Sequence, residues 1–152
     1  MAFKVFGDQE FDKVRHAVAE SQRIKQRAKT LMENIRAVCE SEYPKESWGI
    51  ELQIGEDGNV GIQTPYGRGR ARLVMSLGEN GTQGIYRIER EALNCLDQSE
   101  WRHVWSIRLD GKGLYPANDP NTRMQFGGFR DDDNYAELAL SILYAIACGH
   151  EQ

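Results

Sequence analysis

The sequence predicts an α+β fold: an antiparallel β-sheet of about five to six strands, flanked by a long N-terminal helix and a buried C-terminal helix. Three observations carry this expectation. Apolar residues recur at threes and fours from Asp8 to Glu42. From Trp48 to Phe126 apolar and polar residues alternate between turn-forming clusters. From Asp131 to Gly149 the helical period returns behind a run of acidic residues. Helix, meander and helix make a layered domain in which helices cover a sheet.

The first helix is written in Phe11, Val14, Val18, Ile24, Ala28, Leu31, Met32, Ile35 and Val38, which share one face. Asp8 is the expected N-cap, with Glu10 and Asp12 in the first turn where the helix dipole favours acids. Tyr43-Pro44 is the expected end, because a residue before proline is pushed out of the helical region. Such a helix would be about 50 Å long. A domain of this size has a radius of gyration of only about 15 Å. The helix should therefore kink near Ser21, where the apolar stripe lapses, overhang the core, or build a homodimer.

Trp48, Ile50, Leu52 and Ile54 share one face of a first strand. Asp57-Gly58 is a hairpin signal, and Val60 and Ile62 continue into a second strand. Leu73, Met75 and Leu77 line the inner face of a third, and GIYRIE reads as a fourth. Ala92 to Ser99 is read as a short helix or loop. Trp105, Ile107 and Leu109 form the inner face of a fifth strand, LYPANDPN is a loop, and Arg123 to Phe126 is a sixth, short strand. The last helix, rich in Leu and Ile on most sides, ends at Gly149 as a C-cap. The predicted core contains Trp48, Ile50, Leu52, Leu73, Met75, Trp105, Ile107, Leu138, Ile142 and Ile146.

The chain reads as a single α+β domain, residues 1–152. Its net charge of −4, from 19 Lys and Arg against 23 Asp and Glu, excludes a general affinity for polyanions, so any such site has to be local. Cys39, Cys95 and Cys148 are widely spaced and odd in number, which points to free buried thiols in a reducing compartment and away from zinc or a disulfide scaffold. Met1 to Lys13 has no apolar signal core, and the apolar-rich run Ala136 to Cys148 is too short to span a bilayer. A cytoplasmic protein without membrane contact is the expectation.

The candidate functional residues are arginines. In YGRGRARLVM, strand parity with Leu73 and Met75 points Arg68, Arg70 and Arg72 away from the core, about 6.8 Å apart along the strand. The same argument sends Arg102 and Arg108 outward, opposite Trp105 and Ile107. The face left open by the helices is then rich in arginine and glutamine. One reading is an ordinary wet sheet face. The other is a binding surface, because arginine presents a planar five-donor fork to carboxylates and phosphates. On either reading, truncating Arg68, Arg70 and Arg72 should leave folding unchanged. Aromatic residues are not interleaved with these arginines in sequence, which argues against a sheet that stacks nucleotides. Gly67 and Gly69 serve a close ligand approach or a bulge.

Other groups carry less chemistry. Asp131, Asp132 and Asp133 suit the start of a helix better than a metal site. GRGRAR lacks the GK[ST] of a phosphate loop. His16, His103 and His150 have no ligand spacing, and His103 shares parity with Trp105. No catalytic group, metal or cofactor is expected. The function expected is non-enzymatic: a protein that occupies a partner's surface as an inhibitor, immunity-type protein or chaperone-like adaptor does, through Arg68, Arg70, Arg72, Arg102 and Arg108. The partner expected is an acidic protein surface; the alternative is a nucleic-acid-binding accessory domain using the same face.

Overall fold

Hairpin turns between alternating segments give a sheet whose strands lie in chain order. A computed structural model describes residues 7–78, 81–125 and 132–149. Its elements are α1 (Asp8–Glu40), α2 (Glu42–Ser47), β1 (Glu51–Ile54), β2 (Val60–Thr64), β3 (Gly67–Gly78), β4 (Gly81–Leu93), β5 (Ser99–Leu109), β6 (Leu114–Pro116) and α3 (Asp132–Cys148). The six strands form one antiparallel sheet in the order β1-β2-β3-β4-β5-β6. The fold is α+β, as the sequence predicts.

Helices α1 and α3 pack on one face of the sheet. Ile24, Ala28, Leu31, Met32, Ile35 and Cys39 of α1 share a core with Leu138, Ala139, Ile142, Ala145 and Ile146 of α3. The sheet contributes Leu52, Val60, Ile62, Ala71, Tyr86, Ile88, Ile107 and Leu109. Each fully buried Ile or Leu stabilises the fold by about 1.5–3 kcal/mol. Of the predicted core, Ile50, Leu52, Trp105, Ile107, Leu138, Ile142 and Ile146 are buried, while Trp48, Leu73 and Met75 pack against the core half-buried. The core tyrosine has a structural use for its hydroxyl. Tyr86 donates to the Gly58 carbonyl at 2.9 Å and so ties the β1–β2 turn, where Gly58 holds a φ of 85°, to the sheet.

Several boundaries differ from the sequence reading, each for a local reason. The N-cap of α1 is Gly7, not Asp8, and the Glu10 carboxylate accepts from its N–H at 3.1 Å. The helix runs unbroken through Ser21, whose hydroxyl is satisfied by the Val18 carbonyl at 2.7 Å. It ends at Glu40, before Tyr43-Pro44. Ser41 is extended there and starts α2, where Pro44 sits in a first turn that tolerates it. Of residues 92–99, read as a short helix or loop, 94–98 are a loop and the ends belong to strands. β4 runs on to Leu93, and Asn94 closes a tight turn by accepting from the Leu96 and Gln98 N–H groups. The sixth strand is Leu114–Pro116 rather than 123–126. Met124 makes only an isolated bridge to Leu114, and Phe126 lies outside the described residues. Nor is α3 buried on most sides: Leu140 and Tyr144 face solvent.

Gly69 and Gly149 are explained by α3. A Cβ on Gly69 would stand 2.5 Å from Ile146 Cδ1 and 3.1 Å from the Glu89 carbonyl, so its missing side chain admits the helix rather than a ligand. Gly149 caps α3 at a φ of 73°. Arg90, on the same side of the sheet, donates through Nη1 to the Ile146 and Ala147 carbonyls at 2.7 and 3.3 Å, where the helix dipole favours a cation.

Candidate functional site

The face turned away from the helices is built in cross-strand rows. The first row runs Glu51, Gln63, Arg68 across β1–β3 and continues through Glu91 and Trp101 of β4 and β5. The next runs Gln53, Gly61, Arg70, Glu89, His103. Then follow Arg72, Arg87, Ser106, and Val74, Ile85, Arg108, Tyr115. Antiparallel neighbours in such rows have Cβ atoms about 4.5–5.5 Å apart, close enough for long side chains to bind one another.

Arg68, Arg70 and Arg72 lie on this face, as parity predicts, but they are held by acids. Glu89 is the centre: Arg70 Nε lies 2.9 Å and Arg72 Nε 2.8 Å from its Oε1. Arg72 Nη2 also reaches Oε2 at 3.5 Å. Glu89 is only 4% exposed. Burial by itself would raise its carboxyl pKa, but the hydrogen bonds and charges of Arg70 and Arg72 outweigh burial and hold it below the ordinary carboxylate value. Arg68 Nη1 lies 3.2 Å from Glu91 Oε2.

Aromatic rings complete the surface. Arg70 lies over the Trp101 ring at 4.2 Å from its centroid, with Arg68 beside it at 6.0 Å. Arg108 lies over Tyr115 at 4.1 Å. Tyr115 is buried, yet it belongs to this face and not to the helix-side core. Arginines and aromatics are therefore interleaved in space, contrary to the sequence reading.

Arg102 does not belong to the site. The β4–β5 ladder pairs Ile88 with Trp105 and then Glu89 with His103, which leaves Val104 as an extra residue. This β-bulge reverses the parity of everything before it on β5. Arg102 pairs with Arg90 on the helix side and binds Glu100 at 2.9 Å, while Trp101 and His103 join the arginine face. His103 thus lies opposite Trp105 in parity rather than with it. Arg108 lies beyond the bulge and keeps its predicted side.

Sequence reasoning missed Trp101, Tyr115, Arg87 and Glu89. Arg87 and Glu89 were legible, because Tyr86 and Ile88 between them set the outward parity. Trp101 was hidden by the bulge, and Tyr115 by the placement of β6 in a presumed loop. Asp131, Arg130 and His150 lie outside the described residues, and Asp133 is exposed near the start of α3. Among the described residues no three His, Cys, Asp or Glu gather closely enough to hold a metal ion, and no helix is long and apolar enough to cross a membrane. No family model, curated protein or solved structure matches the chain.

Proposed function

We propose that this chain is a non-enzymatic binding protein that occupies the surface of another protein through its arginine-bearing sheet face, as an inhibitor, immunity-type protein or chaperone-like adaptor does. One observation carries the reading: guanidinium groups stack on Trp101 and Tyr115 within a lattice that also holds Glu89 and Glu91. Trp, Tyr and Arg are the residues that dominate the energetics of protein interfaces. Interleaved carboxylates suit a partner of mixed, net acidic charge and would repel a continuous row of phosphates. The reading sets the protein in a reducing cytoplasm, where three free cysteines persist unoxidised.

The nucleic-acid alternative gains one argument, since bases stack on aromatics flanked by arginine. In this fold the Trp101 ring already carries Arg70, so a base would have to displace it. An affinity pull-down from the native host, with and without nuclease, separates the two. Trp101→Ala is the informative variant. A protein captured after nuclease by the parent chain and lost by Trp101→Ala supports the surface reading; capture of only nuclease-sensitive material overturns it. The triple alanine change at Arg68, Arg70 and Arg72 is a poor test, because it leaves Glu89 buried without its cations.

Self-association is the second part of the proposal. The stripe that packs on the core continues along the N-terminal half of α1 as Phe11, Val14 and Val18, all exposed, and Val14 lines one surface depression with exposed Leu77 of β3. A homodimer through this half of α1 would cover them. Light scattering tests it.

A further inference from the structure

The five arginines of the outer face fall into two electrostatic classes. Arg68, Arg70 and Arg72 each have a carboxylate within 3.2 Å. Arg87 and Arg108 have none among the described residues, and they are diagonal neighbours: Ile85 pairs with Arg108, and Arg87 with Ser106. Diagonal pairs on adjacent strands lie about 7–8 Å apart, a span one carboxylate can bridge. The two cations also gain nothing from each other, because like charges on neighbouring strands repel.

Arg108 carries a more specific mark. Its Nε is buried and has no hydrogen-bond acceptor among the described residues. An orphaned buried donor is uncommon and calls for an explanation. The Tyr115 ring lies beneath the guanidinium at 4.1 Å and fixes its plane. A fork held flat against a ring, with its Nε turned inward, keeps its two Nη groups aligned for a bidentate acceptor. Val74 is 46% exposed, and Ile85 is half-buried beside it in the same row. Apolar floor thus adjoins the two cations.

We propose that Arg87 and Arg108 form a carboxylate-binding subsite that takes an acidic side chain of the partner protein, with an apolar residue of the same segment resting on Val74 and Ile85. The proposal rests on the surface reading above and deepens it: the anion lands on the uncompensated pair and not on Arg68, Arg70 and Arg72. Charge complementarity to two cations without a carboxylate partner among the described residues argues for a carboxylate. The adjoining apolar floor argues for a peptide, because a sugar–phosphate backbone has no use for it.

The test follows the arginine Nε–H resonances of the full chain by NMR during titration with a capped four-residue peptide of alternating glutamate and leucine. The Arg108 resonance should shift saturably, and Arg87→Gln and Arg108→Gln should each weaken binding at least tenfold. A control peptide with glutamine for glutamate should leave Arg108 unmoved. Inorganic phosphate or a short RNA that moves Arg108 at lower concentration than the peptide overturns the assignment. So does a peptide response confined to Arg70 while Arg108 stays still; the surface reading then survives without this subsite. Both readings fall together if neither arginine responds and Trp101→Ala keeps the partner. Arg108→Met separates a structural role, since loss of an orphaned donor should leave Tm unchanged or raised. A fall in Tm of several degrees would assign Arg108 to folding and end the proposal.

Discussion

Glu89 shows how one residue converts a binding motif into a structural one. It stands on β4 between Arg70 and Arg72 of β3 and binds both, leaving the triad a single net positive charge. A fully buried pair loses about 3–5 kcal/mol when one partner is removed. Here Arg70 and Arg72 are 30% and 46% exposed, so Glu89→Gln should cost less, about 1–3 kcal/mol by denaturant unfolding. The pH dependence has a defined sign. A carboxyl whose folded pKa is depressed stabilises the fold above its unfolded pKa and loses that contribution as pH falls through the folded value. The stability gap between the parent chain and Glu89→Gln should therefore be constant near neutrality and close below about pH 4. A gap that widens on acidification would contradict the network. The thiols make a second test at this scale. Burial, with a smaller contribution from Glu40, pushes the Cys39 thiol up to about 11, whereas Cys95 is exposed in a turn. Iodoacetamide at about pH 8 should label Cys95 in the folded protein and reach Cys39 only after unfolding.

The element that decides the site is β5, through a single surplus residue. With Val104 present, Trp101 and His103 face the arginines and Arg102 faces the helix side. Deleting Val104 should restore simple alternation, turn Trp101 over, and quench the change in its fluorescence that partner binding produces. Close packing of α3 on β3 gives a complementary prediction. Gly69→Ala places a methyl group against Ile146 and the Glu89 carbonyl, and should destabilise by about 1–3 kcal/mol while leaving the outer face intact. In α1, buried residues begin at Ile24, so the first half of the helix stabilises its own domain little. Val14→Glu with Val18→Glu should leave the unfolding of the monomer unchanged. If α1 builds a homodimer, the same change should halve the mass measured by light scattering; a parent chain that is monomeric at high concentration would remove that part of the proposal.

At the scale of the whole molecule, a net charge of −4 carries a local cationic face. Repulsion from the bulk of the chain and attraction at the face act together, so a partner must present its acids in one place. Salt should read this out. Affinity for a protein partner with an apolar centre should fall only modestly between 50 and 200 mM salt, whereas phosphate contacts by several arginines would lose about 10³-fold or more. A steep log-linear loss would favour the nucleic-acid alternative.

Much of this protein was settled by sequence alone, because its strongest signals are local. Period 3.6 before Glu40 and after Asp132, period 2 between them, and Asp57-Gly58 at a hairpin tip each depend on neighbours within one or two turns of chain. The same locality makes the arginine parity on β3 correct, since β3 pairs with β4 without a break. What tertiary structure decided is everything that needs two distant segments at once. Parity carries along a strand only until a bulge, and the surplus of Val104 is defined only against Ile88 and Glu89 of β4. Whether an outward arginine is paired depends on the acid its neighbour strand supplies, which separates Arg70 from Arg108. Leu114 to Pro116 becomes a strand because β5 offers it an edge, and nothing in those three residues announces it. The site could be read from the sequence where its chemistry lies along one strand, and only from the fold where it lies across strands.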